Sequence, residues 1–153
     1  AWLQSAIGVG MVLGGLTLGI WGGFKRRATT GLLAYTLVGI GETLIGLTPR
    51  DAFIAVVGFI FSVGFTNSIG SGSLFAVLQV TVPPRMQGRI FTLVMSGVSL
   101  MSPVGLAIAG PMADIIGVQI WFLIAGLATI VIGVSAFFIP AIMQIEDRNQ
   151  LSR

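Results

Sequence analysis

The sequence contains no cysteine and no histidine. Without cysteine there is no disulfide framework. Without histidine there is no His-dependent metal site, no Ser-His pair and no side chain that ordinarily titrates near neutrality. Charge is scarce too: 8% of residues are Asp, Glu, Lys or Arg, whereas about a quarter are charged in a soluble domain. A chain of 16.0 kDa with so few charges cannot clothe the surface of a soluble fold. Its net charge is +3, but the basic residues sit at the ends of apolar runs and not across a face with interleaved aromatics, which excludes a nucleic-acid partner.

Enzymatic signals fail on the same scarcity. Gly70-Ser71-Gly72-Ser73 has the look of a nucleophile loop, but no histidine exists to serve as its base. Gly39-Ile40-Gly41-Glu42 resembles an intramembrane aspartyl protease motif, yet it offers one carboxylate where that chemistry needs two sharing a site. No phosphate loop ending in Gly-Lys-Ser/Thr is present. The expectation is a protein that is not an enzyme and holds no cofactor or metal.

What the chain has instead is long uncharged stretches. Residues 1–24, 52–84, 90–113 and 115–145 carry no formal charge, and residues 28–49 carry only Glu42. Each is long enough to cross the hydrocarbon core, which takes about 20 residues of helix. None alternates as a barrel strand would. The sequence therefore predicts an all-α integral membrane protein with five transmembrane helices: 2–21, 30–47, a third from Asp51 as N-cap to a stop at Pro83-Pro84, 86–112 with a kink at Pro103, and 118–143. The third run would reach about 50 Å as one helix against a core of about 30 Å, so it must tilt, protrude or break, with Gly70-Ser71-Gly72 as the flexible point.

Orientation follows from the basic residues. Lys25, Arg26, Arg27, Arg85, Arg89, Arg148 and Arg153, seven of eight, fall on alternate sides of the spans, leaving only Arg50 opposite. By the positive-inside rule those loops are cytoplasmic. The reading is a multi-pass protein of the cell membrane, solvated by lipid, with its N-terminus outside, a helical bundle over residues 1–145 and a cytoplasmic tail over residues 146–153. The chain opens at Ala1 within an apolar run and has no basic leader, so further helices are expected upstream.

Small residues recur at four-residue steps: Gly10 and Gly14; Gly15, Gly19 and Gly23; Gly105, Ala109 and Ala113. In lipid such strips let helix backbones approach and gain dispersion contacts. Glu42 is the one ionisable side chain inside an apolar span, which makes it a candidate proton carrier, although it lies near enough to the outer surface to snorkel or to bond Thr43 or Arg50. A second candidate set is uncharged. Asn67 and Ser71 on the third helix, and Ser96 and Ser99 on the fourth, form polar stripes in apolar walls, the pattern suited to a small amphipathic drug-like ligand, with Met95 and Met101 adding adaptable surface. The same hydroxyls can instead serve helix packing.

Gly15, Gly19 and Gly22-Gly23 followed by Lys25-Arg26-Arg27 resemble the loop after the eighth helix of major facilitator superfamily transporters. Val82-Pro83-Pro84-Arg85 with Gln87-Gly88-Arg89, and Pro103, Gly105, Ala109, Gly110-Pro111 and Asp114, are similar to the stretch around the eleventh helix of its macrolide-efflux branch. The resemblance implies helices eight to twelve of a twelve-helix fold that exports amphipathic drugs by alternating access, driven by protons. It implies that the missing N-terminal helices are this segment's partner. It also implies that Glu42 lies on a peripheral helix and that the third and fourth helices wall the cavity. Gly23 stands where the family loop carries Asp, so gating through that acid is not expected. The competing reading is a stand-alone five-helix membrane protein with a structural or partner-binding role.

Overall fold

The computed structural model describes residues 2–23, 27–49 and 51–139, with only the backbone described for Arg27. These residues form α1 (Trp2–Trp21), α2 (Arg27–Leu47), α3 (Phe53–Thr81), α4 (Pro84–Ile116) and α5 (Val118–Phe137). All are long and apolar enough to cross a membrane. The expected spans from residues 140 to 143, and the tail at 146–153, lie outside the described residues.

The ends of the helices differ from the sequence expectations for local reasons. Asp51 does not cap α3: Ala52 holds the N-cap position without a side-chain hydrogen bond, and the Ala52 N–H closes a turn onto the Pro49 carbonyl at 3.0 Å. The paired prolines do not merely stop α3. Val82 is extended, Pro83 is the N-cap of α4, and Pro84 is its first residue, where a fixed φ and a missing N–H cost nothing. Gly70-Ser71-Gly72 is no break either, since α3 runs through it for 29 residues, about 43 Å of helix. Those glycines are packing positions: a Cβ on Gly70 would lie 3.3 Å from the Ala34 Cβ of α2, and one on Gly72 would run into Leu18 of α1. The length is left to tilt or protrusion.

Helix contacts run in the order α1, α3, α2, α5. Gly10, Gly14 and Gly64 form the α1–α3 seam, where added Cβ atoms would lie 3.0 Å from the Phe65 N, 2.9 Å from the Phe65 C and 3.1 Å from the Ile7 Cα respectively. Phe61 and Phe65 stack beside it with ring centroids 6.4 Å apart. Gly15 meets the Ser68 hydroxyl. Gly19 and Gly105 depart from expectation, for a Cβ on either would meet nothing within 4 Å among the described residues. Gly19 is exposed on α1, off the strip by which Gly10, Gly14 and Leu18 meet α3, and α4 has no buried residue. Ala109 is half-buried on that same helix.

The seam the spacing rule did not single out is the one between α2 and α5. Gly39 and Gly46 face Gly126, Ile130, Gln119 and Leu123, while Gly126 and Gly133 face Thr43 and Thr36. The members repeat every seven residues on both helices: Thr36 and Thr43, Gly39 and Gly46, Gln119, Gly126 and Gly133. That is the period of left-handed knobs-into-holes packing, not of the four-residue motif. As numbers rise on α2 they fall on α5, so the two run antiparallel.

The core is correspondingly small. Ala28, Ala34, Val38 and Ile45, all on α2, are buried with Thr30 and Ser73, and no large side chain among the described residues is fully buried. Outward hydroxyls are kept from lipid by bonding back to their own helix: Thr17 to the Leu13 carbonyl, Thr66 to that of Ser62 and Thr92 to that of Gly88, each at 2.7 Å.

Candidate substrate cavity

Alpha-4 is the helix that the others cover least: none of its apolar window is buried, against 44% for α2. It leaves α3 through a tight corner where the Gln87 side-chain amide donates to the Gln79 and Val82 carbonyls at 2.9 and 3.1 Å. Phe75 of α3 stacks on Phe91 of α4 with centroids 5.9 Å apart. At its far end α4 joins α5 through Gly117 alone, whose φ of 89° a residue with a Cβ rarely adopts. The body of α4 between these ends therefore stands off from α2 and α3, and two hollows lie along it.

The larger hollow, about 660 Å³, is lined by Phe91, Thr92, Met95, Ser96, Ser99 and Leu100, all of α4. It is a groove along one flank of that helix, with Thr92, Ser96 and Ser99 as its polar points, the Thr92 hydroxyl being turned back to the Gly88 carbonyl. The smaller, about 350 Å³, lies between α2, α3 and α4 and includes Tyr35, Ser71, Leu74, Phe75, Met95 and Val98. Met95 borders both, so the hollows adjoin. Both fall in the size range of small-molecule sites, apolar with a few placed polar groups.

The candidate residues are thus divided. Ser96 and Ser99 share the groove, and Ser71 lies in the neighbouring hollow. Asn67 lines neither. It is half-buried one turn before Ser71, on the stripe of α3 that carries Val63, Gly70 and Leu74 against α2. Met101 is exposed and borders neither hollow.

Glu42 is half-buried on α2, two turns beyond Tyr35 along the helix, where the Thr129 hydroxyl of α5 lies 3.4 Å from its Oε2. That hydroxyl is 2.9 Å from the Ala125 carbonyl, its nearer acceptor. Thr43 does not serve Glu42, since its hydroxyl donates to the Gly39 carbonyl at 2.8 Å. Arg50 lies outside the described residues, as do Lys25 and Arg26 of the basic loop, and of Arg27 only the backbone is placed. Gly23 has a φ of 77° and follows Gly22 at 73°. This left-handed exit from α1 favours glycine over the family's Asp. Arg85 and Arg89 are exposed on the first turns of α4.

Sequence reasoning missed Tyr35, the chain's only tyrosine. Its hydroxyl lies 3.2 Å from the Ser71 Oγ, joining α2 to α3 at the wall of the smaller hollow. A lone phenol inside an apolar run was the available signal, because a buried Tyr hydroxyl needs a partner.

Neither a family model nor a solved structure matches the chain. Curated relatives do. Macrolide efflux protein A of Streptococcus pyogenes is 34% identical over 137 residues, covering 90% of this chain and 34% of the relative. Multidrug efflux pump Tap of Mycolicibacterium fortuitum is 30% identical over 145 residues, 95% of this chain and 35% of the relative. The uncharacterized MFS-type transporter YfiS of Bacillus subtilis is 33% identical over 142 residues, 86% of this chain and 32% of the relative. The chain spans about a third of the length of these relatives. With five apolar helices long enough to span, and the loop and proline-glycine motifs in order, the chain belongs to the major facilitator superfamily, in its macrolide and multidrug efflux branch.

Proposed function

We propose that this chain is the C-terminal portion, helices eight to twelve, of a carrier that exports macrolide-type amphipathic molecules from the cell by alternating access with proton antiport. The observation that carries the reading is the likeness to two named efflux proteins over at least 90% of the chain. The uncovered flank of α4, with Ser96 and Ser99 in its groove, supports it: a site between two halves of a carrier leaves each half with one open wall. The missing N-terminal helices supply the other wall. Glycine seams between α1 and α3 and between α2 and α5 let these helices move as packed units while the cavity opens to either side. The basic loops and the tail face the cytoplasm of a cell-membrane protein. Glu42, turned toward α5, has no part in substrate contact.

A chimera tests the reading. The matched segment of the Streptococcus pyogenes macrolide efflux protein is replaced by this chain and expressed in a macrolide-sensitive host. Restored resistance, abolished by a protonophore, is the expected result. A chimera that reaches the membrane in normal amount but exports nothing overturns the transport role and favours a stand-alone helical protein.

A further inference from the structure

The hydroxyl pair in the smaller hollow has a feature its neighbours lack. Thr36, Thr43, Ser62, Thr66, Thr92 and Thr129 each donate to the carbonyl four residues back. Ser71 is bonded instead across to the Tyr35 hydroxyl, at 3.2 Å, and either oxygen can be the donor. The Tyr35 ring is held there by Gly70, where an added Cβ would lie 3.2 Å from both Cδ2 and Cε2. Two hydroxyls that share one hydrogen bond keep one proton to give. When Ser71 donates to Tyr35, the phenol proton is free at the wall of a hollow of about 350 Å³ whose other surfaces are Leu74, Phe75, Leu78, Val94, Met95 and Val98. Such a chain of hydroxyls makes the terminal O–H a stronger donor.

From this geometry we infer that the hollow between α2, α3 and α4 binds an uncharged aryl or alkyl group bearing a carbonyl oxygen, which accepts a hydrogen bond from Tyr35 while Ser71 supports that phenol from behind. The inference deepens the export reading and rests on it for the ligand's origin, though not for its chemistry. The site is off-centre, because Tyr35 belongs to α2, the helix most enclosed by its neighbours. The two hydroxyls are not equivalent. Tyr35→Phe removes the donor that meets the ligand and leaves Ser71 to bond back to its own helix, whereas Ser71→Ala leaves the phenol free to donate.

The test uses benzophenone, a diaryl ketone that inserts on irradiation into nearby C–H bonds, on the chain in its full coding context in phosphatidylcholine nanodiscs. Labelled residues are mapped by mass spectrometry, and competition is measured with 4-methylacetophenone and with its hydrocarbon isostere p-cymene at equal membrane concentration. The expected result is labelling at Met95 and Leu74, with protection by the ketone but little by the hydrocarbon. Tyr35→Phe should weaken the ketone's protection about three- to tenfold, the worth of one hydrogen bond, and Ser71→Ala much less. Equal protection by ketone and hydrocarbon would make this a cleft for any acyl chain and overturn the inference. So would absence of label from Met95 and Leu74, or unchanged protection in Tyr35→Phe. Failure of labelling beside intact macrolide export overturns this site alone, while the expected labelling without export overturns the transport reading and leaves the site standing.

Discussion

Gly14 and Gly19 look alike in the sequence, each four or five residues from another glycine, and only their neighbours separate them. A methyl on Gly14 would press on the backbone of Phe65, which cannot turn aside, whereas one on Gly19 would meet nothing within 4 Å among the described residues. Gly14→Ala should therefore cost about 1–3 kcal/mol by forcing α1 from α3, while Gly19→Ala should be neutral or slightly stabilising through helix propensity. Thermal unfolding in detergent checks this, and an equal fall for both variants would remove the seam from the account. The polar candidates divide as well. Ser96 lies in the groove and Glu42 at the α2–α5 seam, so in the complete carrier Ser96→Ala should change resistance to some macrolides more than others, because a lost partner penalises ligands selectively. Glu42→Gln should leave export largely intact, since the amide keeps an oxygen for Thr129. Resistance assays at matched expression decide it, and loss of all export in Glu42→Gln beside a silent Ser96→Ala would reverse the assignment.

The helices were legible as elements because the uncharged runs matched the thickness of a bilayer; their ends were not, because ends depend on local bonding. Asp51 is a good capping residue by type, yet the turn from Pro49 to Ala52 carries the chain past it before α3 begins. Pro83-Pro84 read as a stop, and the second proline proved to be a start. Seams were legible only where the searched period fitted: the four-residue step found Gly10 and Gly14, while the seven-residue step of α2 and α5 needed a partner helix in view. That seam also has a polar tie at one end, where the Gln119 side-chain amide donates to the Thr48 carbonyl at 2.9 Å. Thr48 is near the last turn of α2, so its carbonyl lacks a partner within the helix. Gln119→Leu should weaken the α2–α5 pair by about 0.6 kcal/mol, the average for such bonds in membranes. Unfolding of the carrier in a denaturing detergent would register it, and an unchanged midpoint would mean that water or lipid headgroups satisfy Thr48 equally well.

At the scale of the whole molecule, small residues lie inside and large apolar ones outside, with Ala28 and Ala34 buried while Leu100, Leu106 and Ile132 are exposed. In water this arrangement would be an aggregation surface; in lipid it costs little, because acyl chains solvate leucine as well as another leucine does. The sequence showed this class of molecule plainly through its lack of charge. It did not show the hollow at Tyr35, which depends on how far α4 stands off from α2 and α3. Contacts across the seams do bear on topology. Alpha-1 and α3 run parallel and α2 antiparallel to both α3 and α5, so the α1–α2 and α3–α4 connections lie at one end of the bundle and the α2–α3 connection at the other. In the sequence, Lys25, Arg26 and Arg27 fall between the apolar stretches of α1 and α2, and Arg85 and Arg89 follow α3, so five of the eight basic residues go with those two connections, while Arg50 falls between α2 and α3. Holding the first end in the cytoplasm follows the charge rule. The chain has no native cysteine, so single replacements report without background. Val82→Cys, at the α3–α4 corner, should resist a membrane-impermeant maleimide added to intact cells and react after lysis. Thr48→Cys, at the end of α2, should react from outside. If Val82→Cys is labelled in intact cells and Thr48→Cys is protected, the bundle is inverted, and Arg85 and Arg89 must owe their place at the start of α4 to something other than the charge asymmetry of the membrane.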